Sequence, residues 1–336
     1  MRVIKRYGIV VIGLAVSVLA VASIFTQIDV NQLVEAFRSA RYIFVLPSLV
    51  CILAGLWARG IRWRVLLNDD LSTLRAFNIM NIGYMVNGVL PLRLGEIGRA
   101  YLASQAAPTL PMMRALSTIV VERLLDVLSV LVLMGIAIAA APVHEDLRRI
   151  AAAATPTMIL GFAILIGMAA QRERTLWLTR QIVQRVSLLE RLHVDRIAAQ
   201  FLDGLMPLTH PRLLGRTLLW TLVAWFFSIL SGIVLMPAFF DAPDTIAVLL
   251  FSAAASFANA LPAAPGSLGT YEYAILISFQ SLGYQNTAGI IGFAVMIHAL
   301  NLGSNAILGI WGLLQEGLTL NQLSERVKGL QQPSSP

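Results

Sequence analysis

Long apolar runs alternate with short polar stretches along most of this chain. A helix needs about 20 apolar residues to cross a bilayer. Runs of that kind place helices at about 8–25, 42–66, 113–141, 218–240 and 286–314, with a shorter one at 157–170 that takes in the alanines of 151–154. Two other apolar stretches are interrupted. Residues 77–89 run into Leu90-Pro91, and residues 258–275 contain Leu261-Pro262. At about 1.5 Å per residue, a segment like 77–89 covers roughly 20 Å, short of the ~30 Å hydrocarbon core. A half-helix that turns inside the membrane fits better than a span. The pattern therefore predicts an all-α, polytopic membrane protein with about six full spans and two re-entrant broken-helix elements.

The two interruptions share a spacing. Pro91, Gly95 and Gly98 follow Leu90 at the same intervals as Pro262, Gly266 and Gly269 follow Leu261, and an Asn lies just upstream of each, Asn87 and Asn259. The second stretch also carries Pro265, with Glu272 just past its glycines. Counting crossings, the first element is entered from the cytoplasm and the second from outside. Related segments inserted from opposite faces are expected of an inverted-topology repeat, whose broken helices meet near the midplane. Backbone groups freed there must line protein or a wet cavity. A helix restarting after Leu-Pro would aim N–H groups and a positive dipole end at that cavity, which suits phosphate. Glycine packing between helices is the plain alternative.

Residues 171–216 are the one long polar region. They hold eight arginines and four acids, which predicts a cytoplasmic location. Leu178, Ile182, Val186 and Leu189 recur at helical spacing, the pattern of amphipathic helices lying on an anionic leaflet. Arg59, Arg62 and Arg64 mark the cytoplasmic end of the second helix, and 142–149 reads as a polar outer loop. The expected organisation is a single transmembrane domain over 1–336. It has a first repeat at about 42–141, the cytoplasmic segment 171–216, a second repeat at about 217–315, and a cytoplasmic tail at 316–336 that is partly disordered. Residues 1–25 have features of a signal peptide but read better as an uncleaved first helix. Both termini are then cytoplasmic.

Composition sharpens this. Of 336 residues, 57% are hydrophobic and 13% charged, where a soluble domain carries about 25% charged. The net charge is +7, carried almost wholly by arginine; the lysines are Lys5 and Lys328. Arginine suits bidentate binding of phosphate and stays charged when partly desolvated. A single cysteine, Cys51, excludes an internal disulfide. Charge interleaved with apolar residues argues against nucleic acid.

Intramembrane charges are costly and usually face a pore, a partner or a substrate. Glu122 and Asp126 in "VVERLLDVL" are four apart on one helix face, with Arg123 about 100° around. His298, Asn301 and Asn305 form a polar stripe on the last helix. Arg93, Arg99 and Arg123 are the expected phosphate ligands. Glu96, Glu122 and Asp126 orient them or bind a cationic or hydroxylated head group. The alternative is a structural ion network that locks the broken helix. No metal-ligand cluster, cofactor motif or GxxxxGK[ST] loop is present.

"LPLRLGEIGRAYLA", "VVERLLDVL" and "LPAAPGSLGTYE" together resemble the transmembrane, flippase-like region of the lysylphosphatidylglycerol synthase family, over about residues 10–315. The resemblance implies movement between leaflets of a lipid with a polar head group, such as aminoacylated phosphatidylglycerol, a polyprenyl-phosphate sugar or a hopanoid. The chain ends about twenty residues after its last expected span, without a soluble aminoacyltransferase domain, so synthase activity is not expected to transfer. The expected protein is a transporter rather than an enzyme, in the bacterial cytoplasmic membrane, moving a phosphate-bearing lipid by alternating access. The alternative is a membrane-embedded transferase, or an accessory or scaffold subunit for lipid or cell-envelope glycolipid synthesis. Self-association and a lipid-modifying enzyme partner stay open.

Overall fold

The structure, a computed structural model, describes residues 15–24, 26–90, 93–140, 145–185, 194–260, 264–319 and 322. All regular structure among them is helical. In chain order the α-helices are α1 (Ala15–Ile24), α2 (Val30–Arg38), α3 (Val45–Leu66), α4 (Thr73–Val89), α5 (Leu94–Ala106), α6 (Met112–Ala140), α7 (Glu145–Ala170), α8 (Arg172–Arg185), α9 (Val194–Gly204), α10 (Pro211–Leu235), α11 (Thr245–Ala260), α12 (Thr270–Gln280) and α13 (Thr287–Gln315).

Among the described residues four helical stretches are long and apolar enough to cross a membrane: Tyr42–Leu66, Met112–Ala140, Pro211–Ala238 and Thr287–Gln315. They contain α3, α6, α10 and α13. The described apolar parts of α1 and α7 are shorter. The polar loop expected over 142–149 is not a loop throughout, because α7 already begins at Glu145. Helix there wins over local polarity, since a helix satisfies its own backbone whatever its side chains.

Side chains start several of these helices by capping orphan N–H groups. Ser72 Oγ accepts the Arg75 N–H at the start of α4 (3.3 Å). Asp244 Oδ1 accepts those of Ile246 and Ala247 (2.8 and 3.1 Å) before α11. Asn286 Oδ1 accepts that of Gly289 in α13 (2.9 Å). The stop of α4 is equally local. Leu90 precedes Pro91 and takes an extended conformation (φ −102°, ψ 140°), as sterics before proline require.

The helices pack in matched pairs. α3 lies along α10, α4 along α13, and α6 along α11. α5 folds back beside α4 and packs on α6; likewise α12 folds back beside α11 and packs on α13. Helices α8 and α9 pack on one another, and α9 rests on α6. Trp177, Leu178 and Ile182 of α8 are exposed; Val186 and Leu189 lie outside the described residues.

Close approach of α4 to α5 depends on glycine. A Cβ on Gly95 would overlap the carbonyl oxygen of Gly83. We expect Gly95→Ala to lower stability by about 1–3 kcal/mol through overpacking. Gly135→Ala in α6, where nothing lies within 4 Å, should leave stability unchanged or raise it slightly. Thermal unfolding of the two detergent-solubilised variants checks the contrast.

Candidate functional site

The first broken element places its own charged residue. Between α4 and α5 the chain turns through Arg93, which caps α5 in the left-handed region (φ 53°). That conformation costs a non-glycine residue about 1–2 kcal/mol. Asn87 Oδ1 accepts the Gly95 N–H (2.8 Å), so this helix start is capped by protein. The Arg93 guanidinium reaches across and donates to the Asn259 carbonyl at the end of α11. The tips of the two broken elements therefore touch.

The second element is built differently. Pro262 lies outside the described residues, as Pro91 does. A 3-10 turn at Pro265–Ser267 follows, with Gly266 at φ 68°, and Gly269 caps α12 at φ 84°. These positive φ values suit glycine. The helix restarts at Thr270, past both glycines. Of the four glycines, Gly266 lines the cavity, whereas Gly95, Gly98 and Gly269 do not. Gly95 and Gly98 are buried inside α5, where Gly95 serves packing. Gly269 faces α1, since a Cβ there would meet Val21 and the Ser17 carbonyl. Gly269 N–H donates to Glu272 Oε2 (2.7 Å), and Glu272 Oε1 lies 2.6 Å from His298 Nδ1. Tyr271 stacks on the His298 ring at 4.1 Å.

Behind the first element lies a buried ion network. Arg99 binds Glu122 through both terminal nitrogens (3.1 and 2.7 Å). Its guanidinium also stacks on Trp63, 3.7 Å from the ring centroid. Arg62 binds Asp126 the same way (2.6 and 3.2 Å) and stands 3.5 Å from Glu122. Arg62, Arg99 and Glu122 are at most 1% exposed. Arg123 is shared among Glu96 (3.3 Å), Glu122 (3.4 Å) and Asp126 (3.9 Å), and Arg93 lies 4.0 Å from Glu96. Tyr84 donates its hydroxyl to Glu122 (3.3 Å). Bidentate geometry and shared donors are what make buried charge tolerable.

In front of the network a cavity of about 620 Å³ opens between the two broken elements. Asn87, Arg93, Glu96, Arg123 and Asp126 line it from residues 42–141, and Asn259, Pro265, Gly266, His298, Asn301 and Asn305 from residues 217–315. Arg99, Glu122 and Glu272, which the sequence nominates as ligands of a head group, do not line it. They are held in the contacts just described, so Arg99 is corrected from phosphate ligand to structural partner of Glu122.

Sequence reasoning also missed residues. Arg62, expected only as a marker of a cytoplasmic helix end, is the partner of Asp126. Arg59 lines the cavity, donates to Ser228 Oγ (3.1 Å) and stands over Trp225 (5.8 Å). Tyr84, Ser252 and Ser256 line it too. An Arg pair three apart inside an apolar run, facing acids of "VVERLLDVL", was the available signal. Among the described residues no group of three His, Cys, Asp or Glu side chains is placed to hold a metal.

The profile of the lysylphosphatidylglycerol synthase TM region matches residues 10–309. The chain belongs to that family. The match takes in both broken elements, the ion network and the cavity, and with the four long apolar helices it makes this a multi-pass membrane protein. The chain is also similar to glycosyltransferase AglD of Haloferax volcanii, at 25% identity over 358 residues and 96% of this chain. It spans 57% of that relative's length. No solved structure matches.

In this family member, removing one partner of the network leaves buried charge uncompensated. Arg62→Ala should destabilise by about 3–5 kcal/mol, while Asp126→Asn in the Arg62→Ala background should recover part of the loss. Unfolding of the single and double variants in detergent tests this coupling.

Proposed function

We propose that this protein is a lipid translocator that carries a phosphate-bearing head group across the cytoplasmic membrane. The observation that carries the reading is the cavity. Both broken elements contribute to one 620 Å³ space whose wall holds Arg59, Arg93 and Arg123. Phosphate binds there through charge-assisted bonds from forked guanidinium groups, while acyl or prenyl chains stay in the bilayer.

The matched packing supports an inverted repeat. The α4–α13 contact corresponds to α11–α6, and α3–α10 pairs equivalent helices. In this reading residues 42–141 and 217–315 are the two repeats, and rocking of one against the other exposes the cavity to each side in turn. Both termini and α8–α9 lie on the cytoplasmic face. The protein acts as a transporter, with no chemical step of its own and no cofactor.

One observation favours a second reading, the similarity to a Haloferax volcanii protein that is named a glycosyltransferase. On that reading the chain is the membrane part of a lipid-glycosylating system, as enzyme or accessory subunit.

Proteoliposomes separate the two. Purified protein should accelerate leaflet exchange of an acyl-labelled phospholipid without forming product. Arg93→Ala should slow exchange about tenfold or more, the loss of one charge-assisted contact worth ~1.5–3 kcal/mol, with thermal stability retained. Product formation without exchange favours the second reading. Wild-type exchange rates in Arg93→Ala and Glu96→Gln defeat the site.

A further inference from the structure

The acids around the cavity are already engaged. Glu96 lies 3.3 Å from Arg123, Asp126 2.6 Å from Arg62, Glu122 2.7 Å from Arg99, and Glu272 2.6 Å from His298. Against these four stand Arg59, Arg62, Arg93, Arg99 and Arg123. Among the described residues the site keeps a positive surplus even with Glu272 counted. Two of the lining aromatic rings, Trp225 and Tyr271, are engaged too. Arg59 stands over Trp225, and His298 stacks on Tyr271, so neither ring is an open cage for an ammonium.

The rest of the polar lining is uncharged. Ser228 Oγ accepts from Arg59 (3.1 Å), and Ser252, Ser256, Asn301 and Asn305 also line the cavity. Ser256 Oγ donates to the Ser252 carbonyl and Asn301 Nδ2 to the Ile297 carbonyl, which leaves their oxygens, and that of Asn305, as acceptors for ligand hydroxyls. That is the complement of a group bearing several hydroxyls, not of a cation. A ligand ammonium in this space would meet arginines with no unengaged acid to offset them, and low local dielectric makes that repulsion large.

Resting on the translocation reading, we propose that the cavity selects a head group whose charge is phosphate and whose remainder is neutral and hydroxylated. Arg59 and the serines around it form the hydroxyl subsite, and aminoacylated head groups are rejected. The site thus separates phosphatidylglycerol-like or glycosyl-phosphate-like head groups from lysyl-bearing ones by charge.

The test uses full-length wild-type protein in neutral-lipid vesicles with three acyl-labelled probes. These are phosphatidylglycerol, phosphatidic acid and lysylphosphatidylglycerol, each followed by the outer-leaflet fraction against time. Phosphatidylglycerol should exchange fastest, phosphatidic acid more slowly for want of hydroxyls, and lysylphosphatidylglycerol about tenfold or more below phosphatidylglycerol. Arg59→Gln should narrow the gap between phosphatidylglycerol and the lysyl lipid.

Equal or faster movement of the lysyl lipid overturns the selectivity while leaving translocation standing. Equal rates for phosphatidic acid and phosphatidylglycerol overturn the hydroxyl subsite. Exchange of none of the three overturns the translocation reading, and this proposal with it. The wild-type comparison stands whether or not Arg59→Gln folds.

Discussion

A charge taken out of water needs an opposite charge in reach, and the centre of this protein is arranged around that constraint. Arg62 of α3, Arg99 of α5, and Glu122 and Asp126 of α6 meet in one buried group. Each ion removed from water costs several kcal/mol even after relaxation. The cost is offset only while the three helices hold their register. A rotation of one residue along α6 turns its acids by about 100° and parts them from both arginines. The network therefore fixes where α5 restarts after the Leu90-Pro91 break, and so where Arg93 and Glu96 stand.

Much of the architecture was legible because its causes are local. Runs of apolar residues gave the long helices, and Leu90, placed before proline, ended α4 in extended backbone. The shared Leu-Pro and glycine spacing correctly drew attention to two interruptions, and their tips do meet at Arg93 and Asn259. What the spacing hid is that equal letters serve unequal ends. Gly95 lets α5 approach Gly83, whereas Gly266 supplies a left-handed turn. The context decides: Pro265 precedes Gly266, while Leu94 precedes Gly95 inside a helix already begun.

The residues that escaped are those whose meaning is tertiary. Arg62 read as a marker of sidedness because its partner lies 64 positions along the chain. Trp225, Ser228, Ser252 and Ser256 look like ordinary contents of apolar helices, and nothing in their spacing says that they face the same space as Arg59. Arg99 and Glu122 stood out in the sequence as intramembrane charges, but the choice between ligand and lock needed their geometry. Two short bonds from one guanidinium to one carboxylate leave little capacity for a third party.

That distinction bears on how such a site moves. The Arg62–Asp126 and Arg99–Glu122 pairs lie wholly within residues 42–141, and the Glu272–His298 contact lies wholly within 217–315. Breaking any of them strands a buried group. Contacts between the two stretches include polar ones to neutral acceptors, Ser48 Oγ donating to the Ser231 carbonyl (2.9 Å) and Arg59 to Ser228 Oγ (3.1 Å). Apolar faces join α4 to α13 and α6 to α11, and the pairs Arg216–Asp69 and Arg75–Glu316 tie their ends through arginines that are 45–48% exposed. Exposed pairs of that sort contribute about 0–1 kcal/mol, and apolar surfaces can slide without losing a specific partner. Charge locks inside each half, with neutral or exposed contacts between them, are compatible with the proposed rocking about a central cavity. On the translocation reading, the Arg93 contact with the Asn259 carbonyl becomes the one to exchange, since a phosphate entering between the tips offers the same guanidinium a charged acceptor in place of a neutral one.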